Sequence, residues 1–398
     1  MDAPDLFAAL LEPAGRDDPY PLYAQLHAIG EVIPVGPGVV LVPGYDAISA
    51  VLRDPEYLVT DAARMDEAFA GWRDHPSLSM ESILNLNEPE HARIRKLVSG
   101  AFTPRRIGSL QPAIERMTDD LLDGMAKSDA VEFMHDFAFL LPVTVICELI
   151  GIPEADRESF RPVAHDLAAT LEISIDDAVI ERADKSAVWL YEYFAGLAAD
   201  RLADPRDDLM SALVQISDAN DGRLTDSELL DNLTLLLVAG FETTTNLLGN
   251  GLKIILDHPE IGAALRAEEI PVASFVEEVL RYDSPVQMTS RRRPEGAEIR
   301  GVPVAANEEV VLMLGAGNRD GRRFPDPDTF SPRRAVGGPL SFGGGPHFCV
   351  GAALARLEAT IAFPRLLARF PEIAAAGEPE RRNGLVLRGF DRLPVTVG

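Results

Sequence analysis

The chain reads as a mainly helical protein with a minor β portion, an α+β architecture, on three observations. Apolar residues recur at three- and four-residue spacing over most of the 398 residues, the mark of amphipathic helices. Strand signals are few, short and far apart. No Gly/Ser tract, low-complexity run or internal repeat divides the sequence. Residues 1–398 are therefore expected to form one domain, although the length exceeds the usual single-domain size. A hydrophobic share of 46% suffices for one large core.

Helical spacing runs through 19–29, 44–53, 90–101, 109–126, 136–150, 154–169, 177–203 and 206–218. Glu31 to Val42 reads as a hairpin around Gly36-Pro37-Gly38. The longest helix opens at Thr225-Asp226-Ser227-Glu228, a capping box with Glu three residues after Thr, and runs to Asp257, where His258-Pro259 stops it. About 31 residues at 1.5 Å each give roughly 46 Å, enough to cross a whole domain. Glu298 to Val304 and Glu309 to Met313 read as a second strand pair, and Leu385 to Leu387 and Pro394 to Val397 as closing strands. Pro364 is expected to bend the last helix, because proline removes a backbone bond.

Composition excludes several classes of function. The 37 basic and 63 acidic side chains leave a net charge of −26, which argues against nucleic acid or an anionic membrane as partner. No basic, apolar leader is visible, and the longest apolar run, Leu235 to Gly240, is far shorter than the roughly 20 residues a membrane span needs. A soluble, cytoplasmic protein is expected. Two cysteines, Cys147 and Cys349, exclude a disulfide scaffold or a four-cysteine zinc site. Cys147, within the apolar run Val143 to Ile150, reads as an ordinary buried thiol.

Cys349 stands in a different setting, Phe342-Gly343-Gly344-Gly345-Pro346-His347-Phe348-Cys349-Val350-Gly351, followed by the helical run Ala352 to Glu358. Three successive glycines let a backbone lie against a flat object with its N–H groups turned inward. A sulfur at a helix N-terminus is expected to have a depressed pKa and to stay thiolate. That suits an axial ligand to haem iron; the alternative is an inert buried cysteine in a glycine loop.

A second signal lies in the long helix. Leu235-Leu236-Leu237-Val238 is apolar on all sides and must be buried, yet Ala239-Gly240-Phe241-Glu242-Thr243-Thr244-Thr245-Asn246 follows directly. Glycine and β-branched threonines are poor helix formers, and a buried carboxylate is costly without a partner. Either the threonine hydroxyls bond back to the preceding turn and Glu242 finds a basic partner, or the helix opens locally over a reactive centre. In the second reading small residues make room for a ligand while Glu242 and Thr243 handle protons. A third signal is Glu278 and Arg281, three apart on one helix face, whose apolar neighbours Val276, Val279 and Leu280 suggest a buried pair.

In this order the three signals resemble the cytochrome P-450 superfamily, the haem-thiolate monooxygenases, in its soluble bacterial form, over nearly the whole chain. The resemblance implies the cytochrome P-450 fold, with the long central helix over haem b and small sheets drawn from both chain ends. It implies Cys349 as the axial ligand to the iron, Thr243 and Glu242 as the alcohol and acid of oxygen activation, and Ala239, Gly240, Phe342 and Gly343 beside the haem. His91, Arg95, Arg291 and His347 match the groups that hold the haem carboxylates, and Glu278 and Arg281 a structural network completed by Arg334.

The activity implied is insertion of one atom of O2 into a small, mainly apolar organic substrate, by hydroxylation or epoxidation, in bacterial secondary metabolism or catabolism. Oxidative coupling, peroxide-driven chemistry and a non-catalytic haem carrier or sensor are the alternatives. The chain has no flavin, dinucleotide or iron–sulfur signature, so electrons are expected from a ferredoxin and its reductase. These would dock on a basic patch of Arg93, Lys96, Arg105, Arg106 and Arg356. Candidate substrate contacts are Phe69, Trp72, Met80, Ile83 and Leu84, then Leu171, Ile173 and Val238, then Val286, Gln287 and Met288.

Overall fold

The structure, a computed structural model, describes residues 1–59, 74–173, 176–219, 222–334 and 337–397. Its axis is the helix Asp226–Asp257. The capping box forms in both directions: Thr225 Oγ1 accepts from the Glu228 N–H, and the Glu228 carboxylate accepts from the Thr225 N–H. Helices Leu140–Ile150, Phe160–Ala169, Asp177–Ala203 and Ala352–Arg369 pack around it and share its apolar core.

Two glycines let these helices approach closely. A Cβ on Gly240 would lie 2.7 Å from Ile146 Cγ1, and one on Gly251 2.3 Å from the tip of Phe363. The absent side chain of Gly240 therefore admits Ile146. Pro364 lies within the helix that follows Cys349, and that helix continues to Arg369.

Four strands form the largest sheet, in the order Ile33–Gly36, Val39–Val42, Glu309–Leu312 and Thr289–Arg291. The hairpin at Gly36-Pro37-Gly38 is present, and Glu309–Leu312 runs parallel to its second strand. The pair expected across 298–313 thus divides. Ala297–Ile299 closes on Val302–Val304 through Arg300 and Gly301, both with positive φ (52° and 83°), the conformation that turns a two-residue hairpin. Glu309–Leu312, with Val310 and Leu312 fully buried, joins the N-terminal hairpin instead. Pro394–Thr396 pairs with Ala130–Glu132 and Ala374–Ala375. Leu385 to Leu387 makes only an isolated antiparallel bridge, Leu387 with Val286, while the Glu172 carboxylate takes its backbone N–H groups. No helix among the described residues is long and apolar enough to cross a membrane.

Cys147 is buried, and burial pushes its thiol up to about 12, as an ordinary core thiol requires. Glu358 is less ordinary. It is 1% exposed, its Oε2 has no partner, and burial pushes its carboxyl well above the usual range. The folded protein keeps this proton at pH values where the unfolded chain, near its ordinary value of about 4.3, has lost it. Stability therefore falls as pH rises above that value. Glu358→Met should raise the unfolding free energy at pH 7 by roughly 1–3 kcal/mol, the cost of a buried polar group without a partner. Urea unfolding of both proteins between pH 7.5 and 5 checks this, and the gain should shrink as pH falls.

Candidate active site

The central helix is buried along most of its length, with one interruption. Ala239 is exposed and Gly240 and Thr243 are half-buried, while Leu236, Leu237, Val238, Phe241 and Glu242 around them are buried. A stripe of a core helix is thus open to an internal space. Cys349 shows the same combination: its side chain is accessible, yet it is enclosed deeply enough for burial to dominate its titration.

The loop before Cys349 is shaped by short backbone bonds. Gly343 N–H donates to Leu340 C=O (2.7 Å) and Cys349 N–H to Phe342 C=O (3.0 Å). Gly343 and Gly345 have positive φ, and a Cβ on Gly345 would fall 1.9 Å from Leu52 O, so no other residue fits there. The Cys349 sulfur accepts from the N–H groups of Gly351 and Ala352, yet burial pushes its thiol up against these donors and against Arg95 and Arg356. This corrects the expectation that the helix N-terminus alone keeps a thiolate: desolvation outweighs the dipole. A coordinated metal would remove the proton outright.

Beside the loop lies a basic cluster. The rings of His91 and His347 sit 4.1 Å apart at 31°. His91 Nδ1 meets Glu88 Oε1 at 3.0 Å, and its buried Nε2 has no partner. Arg95 donates to the Phe348 carbonyl. Arg291 reaches only Thr289 Oγ1 and Ser290 O, and burial lowers its guanidinium to about 10. Burial, then the charges of His91, Arg291 and Arg95, lower His347 to about 3. Among the described residues neither arginine is paired with a carboxylate. An orphaned imidazole nitrogen, an unpaired buried guanidinium and an accessible sulfur on a glycine loop fit a flat group that carries carboxylates and a metal. Haem is such a group.

Glu278, Arg281 and Arg334 come together. Arg281, 2% exposed, grips both oxygens of Glu278 (2.8 and 2.9 Å) and donates to the carbonyls of Asn318, Pro327 and Thr329. Glu278 Oε1 also accepts from Ser331 N–H and Arg334 Nε. In the central helix no opening occurs: it stays unbroken through 239–246, Thr243 Oγ1 donates to Ala239 O at 3.2 Å, and Glu242 pairs with Arg382.

The other expected residues divide. Val286 is half-buried and bridges Leu387; Leu84, Leu171 and Ile173 are exposed; Met80 is half-buried. Ile83 is buried and its N–H donates to Asn232 Oδ1, while Val238 belongs to the main core. Gln287 and Met288 turn away. Gln287 bonds Tyr23 and Ser284 and fills the space beside Gly315, and Met288 packs with Leu6 and Leu10. Phe69 and Trp72 lie outside the described residues. In the basic patch, Arg93, Arg106 and Arg356 are tied to Glu228, Asp207 and Glu277, leaving Lys96 and Arg105 exposed. Arg382 and Glu172 were not expected at the site, because their partners lie more than a hundred residues away and no local pattern marks such pairs.

The cytochrome P450 family model matches residues 197–384. Cytochrome P450 107B1 of Saccharopolyspora erythraea is 40% identical, over 90% of this chain and 89% of that protein. The cytochrome P450 monooxygenase PikC of Streptomyces venezuelae is 39% identical, over 95% and 91%. The ligand-free crystal structure of Mycobacterium smegmatis CYP164A2 superposes with a TM-score of 0.91 at 37% identity, covering 99% of this chain and all of that one. With that agreement over nearly its full length, the chain belongs to the cytochrome P450 family of haem-iron, oxygen-incorporating oxidoreductases.

Proposed function

We propose that the protein is a haem b monooxygenase that places one oxygen atom of O2 on a small, mainly apolar molecule, in bacterial secondary metabolism or catabolism. Its electrons come from a ferredoxin and ferredoxin reductase in the cytoplasm, and the whole chain works as one domain. The observation that carries this reading is the accessible Cys349 sulfur on its glycine loop beside a basic cluster whose two arginines, Arg95 and Arg291, have no carboxylate partner among the described residues. Lys96 and Arg105, with Phe348 exposed nearby in the loop, support docking of an acidic electron donor.

Bound haem supplies the one-electron and O2 chemistry. Cys349 holds the group, and His91, Arg95, Arg291 and His347 orient its carboxylates. The Thr243 hydroxyl, now turned back onto Ala239 O, is the accessible proton donor on the central helix, and Glu242 beside it is the acid that resupplies it. Ala239, exposed on the same stripe, leaves an apolar surface beside that hydroxyl. A strongly red-shifted Soret band in the reduced, carbon-monoxide-bound protein tests the reading, and its absence retires it.

Thr243→Ala should retain haem yet lose this donor. General acid–base groups contribute about 10²–10⁴ in rate, so the ratio of product to hydrogen peroxide should fall at least about tenfold. Product and peroxide counted per electron pair check this. An unchanged ratio would remove Thr243 from the role.

A further inference from the structure

The pair between Glu242 and Arg382 joins the central helix to the C-terminal hairpin, in which Phe390–Arg392 runs antiparallel to Glu380–Arg381, and neither partner belongs to the accessible stripe. Glu242 precedes Thr243 by one residue, a turn of about 100° around the helix, and its side chain is 10% exposed. Arg382 is as enclosed, at 11%, and its N–H donates to Gly389 O at 3.2 Å. Gly389 in turn lies against the central helix one turn past Glu242, where a Cβ would fall 2.0 Å from Asn246 Oδ1. Backbone packing therefore fixes the register that delivers Arg382 to Glu242.

The other charged and titratable groups around the pair come from three elements. Asp391 of the strand Phe390–Arg392 and Glu172, after the helix Phe160–Ala169, act on Arg382. His165 of that helix lies close enough to Arg382 for its own proton affinity to be lowered, chiefly by burial and then by that charge. Arg161 and Asp166 flank His165. Among the described residues Arg382 is the cation in contact with the Glu242 carboxylate.

We propose that Arg382 is the positioning residue for Glu242: it holds the carboxylate against the C-terminal hairpin, off the accessible face of the helix, so that the acid meets Thr243 only when this pair opens. The proposal rests on reading Glu242 as the acid. A carboxylate gripped by a guanidinium in a buried site keeps both its charge and its rotamer. Opening the pair frees both at once, which separates the resting protein from the one that passes a proton.

The test uses the resting holoenzyme and infrared difference spectra, with the Glu242 carboxyl band assigned by its loss in Glu242→Gln. Removing a cation in contact with a carboxylate raises its proton affinity by about 1–3 units, so in Arg382→Gln the protonated fraction of Glu242 at neutral pH should rise at least tenfold. The alkaline limb of the pH profile of product formation should move upward with it, and Arg382→Lys should restore both. Glu242→Gln/Arg382→Gln, which removes both charges, should recover any folding lost in the single Arg382 variant. An unchanged band together with an unchanged pH profile in Arg382→Gln would overturn the proposal. If Arg382→Gln does not fold, Arg382→Met takes its place: a shifted band supports the proposal, and a band and pH profile identical to the parent's overturn it. Separately, an unchanged ratio of product to peroxide in Glu242→Gln would retire the acid reading without altering what the infrared band reports.

Discussion

Cys349→Ser should remove the red-shifted Soret band and lower product formation by at least ~10³-fold, about 4 kcal/mol of barrier, while helix content stays as it is. The prediction separates the sulfur from its loop. A serine hydroxyl can still accept from the Gly351 and Ala352 N–H groups that now meet the sulfur, and Gly343 and Gly345 keep their left-handed turns without it. The basic cluster of His91, Arg95, Arg291 and His347 is likewise untouched. Serine, however, offers a harder and far less acidic ligand than a thiol, so it loses the electron donation that favours O–O cleavage. The variant should bind haem less tightly but still measurably. A Cys349→Ser protein with the parental band and rate would show that the iron is held elsewhere, and would overturn the central assignment.

The residues legible in the sequence are those whose signal is local. The capping box at Thr225, the glycine loop around Cys349 and the i, i+3 pair of Glu278 and Arg281 each lie within ten residues, and each has the geometry that its spacing implies. The octet around Glu242 was legible as an anomaly but not in its resolution. Helix propensity marked it as poor helix, yet packing of Gly240 on Ile146 and the pair with Arg382 keep it helical, an instance of tertiary contacts overriding propensity. The strand pairing failed where partners are remote. Glu309–Leu312 lies near Val302–Val304 in sequence but pairs with a hairpin some 270 residues earlier. Gln287 and Met288 were misassigned for a related reason. Apolar character cannot distinguish a site wall from a core wall, and here the N-terminal helices supply that core. The Cys349 titration failed on magnitude, since the dipole term was legible and the larger desolvation term was not.

Arg281→Lys should destabilise the protein by about 3–6 kcal/mol, two lost hydrogen bonds of a buried charged group at about 1.5–3 each, and should lower haem retention although Arg281 belongs to none of the groups assigned to the cofactor. All five guanidinium protons are in use: two on Glu278 and three on the carbonyls of Asn318, Pro327 and Thr329. Lysine carries only three donors and no planar fork, so it leaves at least two of these five bonds unmade and cannot grip both Glu278 oxygens. The effect on haem follows from where those bonds lead. Asn318 Oδ1 accepts from Leu340 N–H and its Nδ2 donates to Ser341 Oγ, which donates to Leu280 O. Leu340 and Ser341 immediately precede Phe342, whose carbonyl holds the Cys349 N–H. Loosening Asn318 therefore loosens the base of the cysteine loop through a continuous chain of hydrogen bonds. Glu278→Gln, which keeps the shape and loses the charge, should reproduce the stability loss in part, because Arg281 and Arg334 would then face each other with one fewer neutralising group. Equilibrium unfolding with and without haem measures both effects. If Arg281→Lys unfolds within 1 kcal/mol of the parent and retains haem equally, on the scale at which each lost hydrogen bond of a buried charge costs about 1.5–3 kcal/mol, the network does not support the loop.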